Sequence, residues 1–144
     1  MCIRDSLDTG VMTDMENLNP AVPAVPGIEY GISGDFISLV RTQGKTYAAI
    51  KQVTGDAGAG NDLLAEIDPA TGTLKQIIGN TGQKGFYGMG FWAGKAYGFT
   101  STGNIYEVDI PTGNAKLVLA AKDDANAPIV WYGAGVTTDS PTAP

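Results

Sequence analysis

The chain has 144 residues, with 15 acidic against 9 basic side chains and a net charge of −6, a size that suits one domain with an ordinary core. Its lysines and arginines are scattered singly, which argues against nucleic acid and anionic membrane as partners, and its apolar runs fall far below the ~18 residues of a membrane-spanning helix. It contains no histidine, which removes Ser–His–Asp and Cys–His catalysis and every His-ligated metal, and its one cysteine, Cys2, can form no internal disulfide.

The opening MCIRDS resembles a leader of translated adapter sequence found on many unrelated gene predictions, so residues 1–34 are expected to be an artefactual leader followed by an irregular, proline-rich segment. On that reading the natural start lies upstream, and a secretion signal there is lost. The run Asn19–Gly27, NPAVPAVPG, places three prolines at intervals of three, which favours extended chain and excludes a helix. A linker accounts for it better than a proline-recognition motif.

From residue 36 onward the chain alternates short apolar–polar strands with turn residues. Strands are predicted at 36–41, 46–53, 62–68 and 73–78, then at 87–92, 95–100, 104–109 and 114–119. Hairpin turns are expected at 42–45, 69–72, 92–95 and 110–113. In Asp68-Pro69-Ala70-Thr71-Gly72 the aspartate can accept backbone hydrogen bonds, the proline presets φ, and the glycine can take a positive φ. The apolar positions Ile37, Leu39, Leu64, Ile67, Ile77, Met89, Phe91, Tyr106, Val108 and Val118 are the expected core.

The two groups of strands are related. A shift of 41 residues lays Leu64–Ile78 on Ile105–Leu119, matching Glu66 with Glu107, Asp68 with Asp109, Gly72 with Gly113 and Lys75 with Lys116. A shift of 50 lays Gly44-Lys45-Thr46-Tyr47 on Gly94-Lys95-Ala96-Tyr97, and a shift of 45 lays Tyr87–Phe91 on Tyr132–Val136. Four strands per unit and a period of about 40–50 residues mark a β-propeller blade. The fold class is therefore all-β: a propeller fragment of about two four-stranded antiparallel blades, 36–79 and 87–120, within a domain 35–138. A closing strand at 129–137 and a polar tail at 139–144 complete the chain.

From Gly85 to Thr138 the chain resembles the last blades of secreted or lipid-anchored bacterial β-propellers, notably of myxobacterial type. The matching residues are the glycine-rich strand Gly88–Gly94, the turn Val108–Gly113 and the closing segment Tyr132–Thr138. Those proteins carry a cysteine after that segment, where Asp139-Ser140-Pro141 stands here, so a disulfide at that place is lost. The resemblance implies an extracellular, periplasmic or outer-surface setting and a structural role for the motifs, and it brings no agreed activity.

Several motifs invite chemistry. Gly44-Lys45-Thr46 imitates the end of a phosphate-binding loop, but Leu39 stands where that loop needs glycine. Gly88-Met89-Gly90-Phe91-Trp92-Ala93 matches a dinucleotide fingerprint, but a turn and a strand follow where a helix is required. Gly58–Leu64, GAGNDLL, resembles one unit of a calcium-binding nonapeptide repeat, and Asp56, Asn61 and Asp62 are hard oxygen ligands. An inter-strand loop is the preferred reading there, with a low-affinity Ca²⁺ site as the alternative; Asp123-Asp124-Ala125-Asn126 is a similar acidic loop. Trp92, Tyr97, Trp131 and Tyr132 can stack on sugars or pack between blades, and packing is preferred. Glu66, Asp68, Glu107 and Asp109 read as solvent-face and turn residues rather than a hydrolytic pair.

The expected function is a non-enzymatic, secreted or cell-surface propeller fragment that binds or scaffolds, with a protein or carbohydrate ligand. The alternative is part of a lactonase-like or quinoprotein-like propeller enzyme whose site residues lie upstream. A ring of two blades cannot close, so the blade at 36–79 is expected to expose an apolar face to an upstream neighbour.

Overall fold

The computed structural model describes residues 3–5, 9–14, 18, 27–39, 44–54 and 60–135, and among them it is all-β, with no helix. The strands in chain order are β1 (Ile3–Asp5), β2 (Met12–Asp14), β3 (Tyr30–Leu39), β4 (Lys45–Gln52) and β5 (Leu63–Ile67). They continue as β6 (Leu74–Asn80), β7 (Phe86–Trp92), β8 (Lys95–Thr100), β9 (Asn104–Val108) and β10 (Ala115–Ala120). Strands β3-β4-β5-β6 form one four-stranded antiparallel meander and β7-β8-β9-β10 a second, while β1 and β2 pair alone. That hairpin, and a β3 that starts at Tyr30, correct the expectation of an irregular segment up to residue 34.

The predicted turns work as their chemistry requires. Ala70 N donates to Asp68 Oδ1 (2.8 Å) and Gly72 N to Asp68 O (2.7 Å), with Gly72 at φ 73°. The second turn repeats the backbone bond, Gly113 N to Asp109 O at 2.7 Å, with Gly113 at φ 76°. Its side-chain bond differs for a simple reason. The residue matching Ala70 is Pro111, which has no N–H, so the Asp109 carboxylate accepts from the Thr112 hydroxyl instead. Ala93 and Gly94 both have positive φ, 49° and 80°, the pair of conformations a two-residue hairpin needs. Of the 42–45 turn only Gly44 and Lys45 are described; Gly44 N reaches Leu39 O at 3.1 Å.

The two sheets share one core. Ile37, Leu39, Tyr47, Ala49 and Leu64 of the first pack with Phe86, Met89, Phe91, Ala96, Tyr106 and Val108 of the second. Phe86 meets Tyr106 edge-on at 5.7 Å, and its ring lies over Gly98, where a Cβ would sit 2.1 Å from the ring. At the outer side Gly79 of β6 lies against the β9–β10 turn, too close to Thr112 O for any side chain. The first sheet's other face, Ala48, Ile50, Ala65, Ile67 and Leu74, is buried as well, joined by Tyr30 and Leu18; Leu74 N donates to Leu18 O at 2.9 Å. The apolar face expected to stand open on 36–79 is therefore covered. The exposed apolar stripe is instead Leu117, Val118 and Leu119 on β10.

Eight of the ten expected core residues are buried; Ile77 is half-buried, and Val118 is 55% exposed because it lies on β10, an edge strand exposed along nearly its whole length. The expected closing strand at 129–137 forms no ladder over its described part, 129–135. This segment instead crosses β7 and β8. Trp131 packs edge-on against Phe99 at 5.5 Å, Gly133 and Ala134 press on Gly88, and Ala134 N donates to Asp35 Oδ2 at 2.8 Å. A side chain has taken the N–H that a neighbouring strand would have paired.

Candidate functional site

Two bulges create the only marked departure from regular pairing on β3 and β7, the strands through which the sheets meet. On β3 the ladder jumps from Ile32↔Ile50 to Phe36↔Ala48, leaving Ser33-Gly34-Asp35 opposite Ala49. On β7 it jumps from Phe86↔Thr100 to Gly88↔Phe99, leaving Tyr87 unpaired. A bulge re-aims the side chains it carries. Gly34 lies so close to Phe86 O that a Cβ would be 2.5 Å away, so the β3 bulge seats directly on β7. Its flanking residues then point to different tasks: Asp35 holds Ala134, and Ser33 faces a cleft.

That cleft, about 160 Å³, lies between the sheets at one end of the strands. Ser33 and Tyr87 come from the two bulges, Lys51 and Gln52 from the end of β4, Asn61 and Asp62 from the approach to β5, and Lys84 from the approach to β7. Lys51, Lys84 and Tyr87 form its solvent-exposed rim, with Tyr87 46% exposed. Gln52 donates through Nε2 to Thr54 O at 2.7 Å, which orients its amide and leaves the carbonyl oxygen to accept.

Asp62 belongs to the wall more than to the cavity. It is only 3% exposed, and its Oδ2 accepts from Phe86 N at 2.7 Å. Its own N–H goes to Gln83 O (2.7 Å), and its carbonyl accepts from Thr81 N (3.0 Å) and the Thr81 hydroxyl (2.7 Å). One residue thereby ties the start of β5 to the start of β7. Of the three oxygen ligands considered for Ca²⁺, Asn61 and Asp62 are adjacent at this cleft and Asp56 lies outside the described residues. Lys51 and Lys84 line the same space. Among the described residues no group of three or more His, Cys, Asp or Glu is arranged to hold a metal.

The other motifs have structural roles. Lys45, the lysine of Gly44-Lys45-Thr46, pairs with Glu66 at 2.9 Å, and Lys75 pairs with Glu66 at 3.2 Å. Glu66 is buried, not on a solvent face, and Gln76 Nε2 also donates to it. The hydrogen bond from Lys45 is the main reason its carboxyl is held below the ordinary range, and Lys75 adds to it against the opposing effect of burial. The same bond raises Lys45. Lys95 and Glu107 repeat the pair at 2.9 Å at the surface of the second sheet. In both sheets the lysine precedes by two a tyrosine directly opposite the glutamate, Tyr47↔Glu66 and Tyr97↔Glu107. In the acidic loop, Asp123 Oδ1 accepts from Ala125 N (2.9 Å) and Ala127 N (2.8 Å), so that carboxylate closes a turn. The aromatics do not gather: Trp92 stands exposed at the far end of β7 from Tyr87, Trp131 packs on Phe99, and Tyr132 is exposed.

Sequence reasoning found Asn61 and Asp62 but missed Ser33, Lys51, Gln52, Lys84 and Tyr87. The signal for Ser33 and Tyr87 was a neighbouring glycine, Gly34 and Gly88, at or beside an apolar strand pattern, where a glycine can mark a bulge; nothing in the sequence marked Lys51, Gln52 or Lys84. No helix of the described residues is long and apolar enough to cross a membrane. No protein-family model, curated protein or solved structure matches the chain.

Proposed function

We propose that the chain is part of a β-propeller with a binding rather than catalytic role at the cell surface, and that the two meanders are neighbouring blades meeting through their inner strands. The observation that carries this reading is the cleft at the blade ends, built where the bulged residues of both inner strands converge with the loops that lead into β5 and β7. The repeated turn and Lys–Tyr–Glu devices support two copies of one unit. The cleft's side chains are two lysines, two amides, a serine, a tyrosine and the buried carboxylate of Asp62, groups suited to holding a hydrogen-bonding ligand.

The test is retention of the 144-residue chain on a panel of immobilised neutral and acidic polysaccharides, with the polymers' length and reducing ends followed over time. Retention without change in the polymer is expected. Release of shortened or ring-opened products would establish an enzyme, and passage through every matrix would remove the carbohydrate-binding role.

A further inference from the structure

We propose that the outer face of the second sheet, the one turned away from the first, receives the same face of a second copy of this chain, giving a two-fold dimer. The inference rests on the two sheets being copies of one unit, and it needs neither a closed ring nor a ligand.

The repeat shows what this face is built to meet. Residues directly opposite one another in an antiparallel ladder put their side chains on the same face of the sheet. By that register Leu39↔Lys45 and Tyr47↔Glu66 of the first sheet correspond to Trp92↔Lys95 and Tyr97↔Glu107 of the second, and Ala49↔Leu64 to Phe99↔Ile105. In the first sheet this is the face pressed against the second: Leu39, Tyr47, Ala49 and Leu64 all belong to the shared core. Gly79, opposite Leu64, meets the β9–β10 turn, and Leu119, opposite Ile105, stands in the same place on β10. The second sheet thus repeats the apolar positions of a sheet-covered face, but with much less cover. Trp92 is 56% exposed where Leu39 is 6%, Leu119 is exposed, and Tyr97 and Ile105 are half-buried. Residues 129–135 lie on Gly88 and Phe99 and leave Trp92 and β10 open. The Lys95–Glu107 pair does not oppose docking, because its counterpart Lys45–Glu66 lies on the covered face of the first sheet.

The opposite end of the stack is closed, and that decides which face the second copy offers. On the far side of the first sheet Ala48, Ile50, Ala65 and Ile67 are buried in a cluster with Leu18 and Tyr30. Leu74 N donates to Leu18 O at 2.9 Å, and the equivalent residue of the second sheet, Ala115, donates through its N–H to Thr81 O at 3.2 Å. Leu18 therefore stands to the first sheet as the end of the first sheet stands to the second. A second copy adding there head to tail would have to displace it. Two copies instead meet through the open face of each, an isologous contact that closes at two.

The experiment is sedimentation velocity of the 144-residue chain over a dilution series, with tryptophan emission recorded on the same samples. A monomer–dimer equilibrium in the micromolar range is expected, growing no further, with emission moving to the blue as Trp92 leaves water. Trp92→Lys should weaken the dimer by about tenfold or more and abolish the concentration-dependent emission shift. The shift in the unaltered chain does not depend on how the variant folds. Growth beyond the dimer would assign a head-to-tail contact, and a dimer formed without the shift, or unchanged by Trp92→Lys, would place the contact on another surface. A chain that sediments as a monomer at every concentration, with its emission already blue, would show that its own residues cover the face. Each of these results, and a monomer with unshifted emission throughout, overturns the proposal. Polysaccharide retention is read separately, so the loss of the binding role would leave the dimer standing, and the reverse.

Discussion

Asp62 illustrates what a single residue contributes here. Its carboxylate is buried because it has a backbone partner to satisfy it, Phe86 N–H at 2.7 Å, and a buried donor left without an acceptor costs about 1–3 kcal/mol. Asp62→Ala should lower stability by that amount, and Asp62→Asn, which keeps an oxygen acceptor, by clearly less. Thermal unfolding of the three proteins measures this; an Asp62→Ala protein that melts with the unaltered chain would show that the bond carries no weight. The sequence singled out Asp62 within GAGNDLL as part of an inter-strand loop, with a low-affinity Ca²⁺ site as the alternative. The N–H that its carboxylate holds is 24 residues away, across a sheet boundary, and no spacing rule reaches that far. Gly79 was illegible for the same reason, since the Thr112 carbonyl of the other sheet occupies the place of its side chain. Gly98 gives way to the Phe86 ring of the adjacent strand in its own sheet.

At the scale of the strands much more was readable, because alternation and turn chemistry are local. The eight main strands appear within a few residues of expectation, except that β3 begins six residues early. Gly31–Asp35 looked like turn sequence and is in fact a bulged strand, which alternation cannot reveal because the bulge breaks it. The repeat also concealed a difference: Glu66 and Glu107 match in sequence, yet Glu66 is buried with two lysines and Glu107 is 39% exposed with one. A pH experiment separates them. The folded carboxyl of Glu66 lies below its unfolded value of 4.5, so its contribution is complete above that value and disappears as pH falls through the lowered one. Lys45 works in the opposite sense: raised above 10.5, it contributes fully below that value and is lost as pH rises through the raised one. The stability difference between the unaltered chain and Glu66→Gln should therefore be widest near neutral pH and close in acid. Denaturant titrations from pH 2 to 9 check this, and a difference that stays constant into acid would assign the effect to packing. Glu107→Gln should change far less at every pH, because its pair is solvent-screened.

For the whole molecule, the decisive feature is which apolar surface remains uncovered. The first sheet is buried on both faces, by the second sheet on one side and by a cluster that includes Leu18 on the other. The second sheet is not. Leu117, Val118 and Leu119 are 51–55% exposed in succession on β10, which among the described residues is also the edge strand of its sheet. Edge strands are normally guarded by charge or irregularity, and β10 has both in small measure: Lys116, and the bulge between Leu117 and Leu119. Against one lysine stand three adjacent half-exposed apolar side chains, and burying even part of them in a second copy is favourable at about 25 cal/mol per Å². We expect concentration-dependent association through β10. Replacing Leu117 and Leu119 together by lysine should keep the chain monomeric to about tenfold higher concentration. Because both residues are already solvent-exposed, the same double substitution should change folding stability by no more than about 0.5 kcal/mol each. Sedimentation velocity across a dilution series, paired with thermal unfolding, reads both quantities. A chain that stays monomeric at every concentration would mean that Lys116 and the bulge suffice to guard the edge. Association that survives the substitutions would move the contact to another surface.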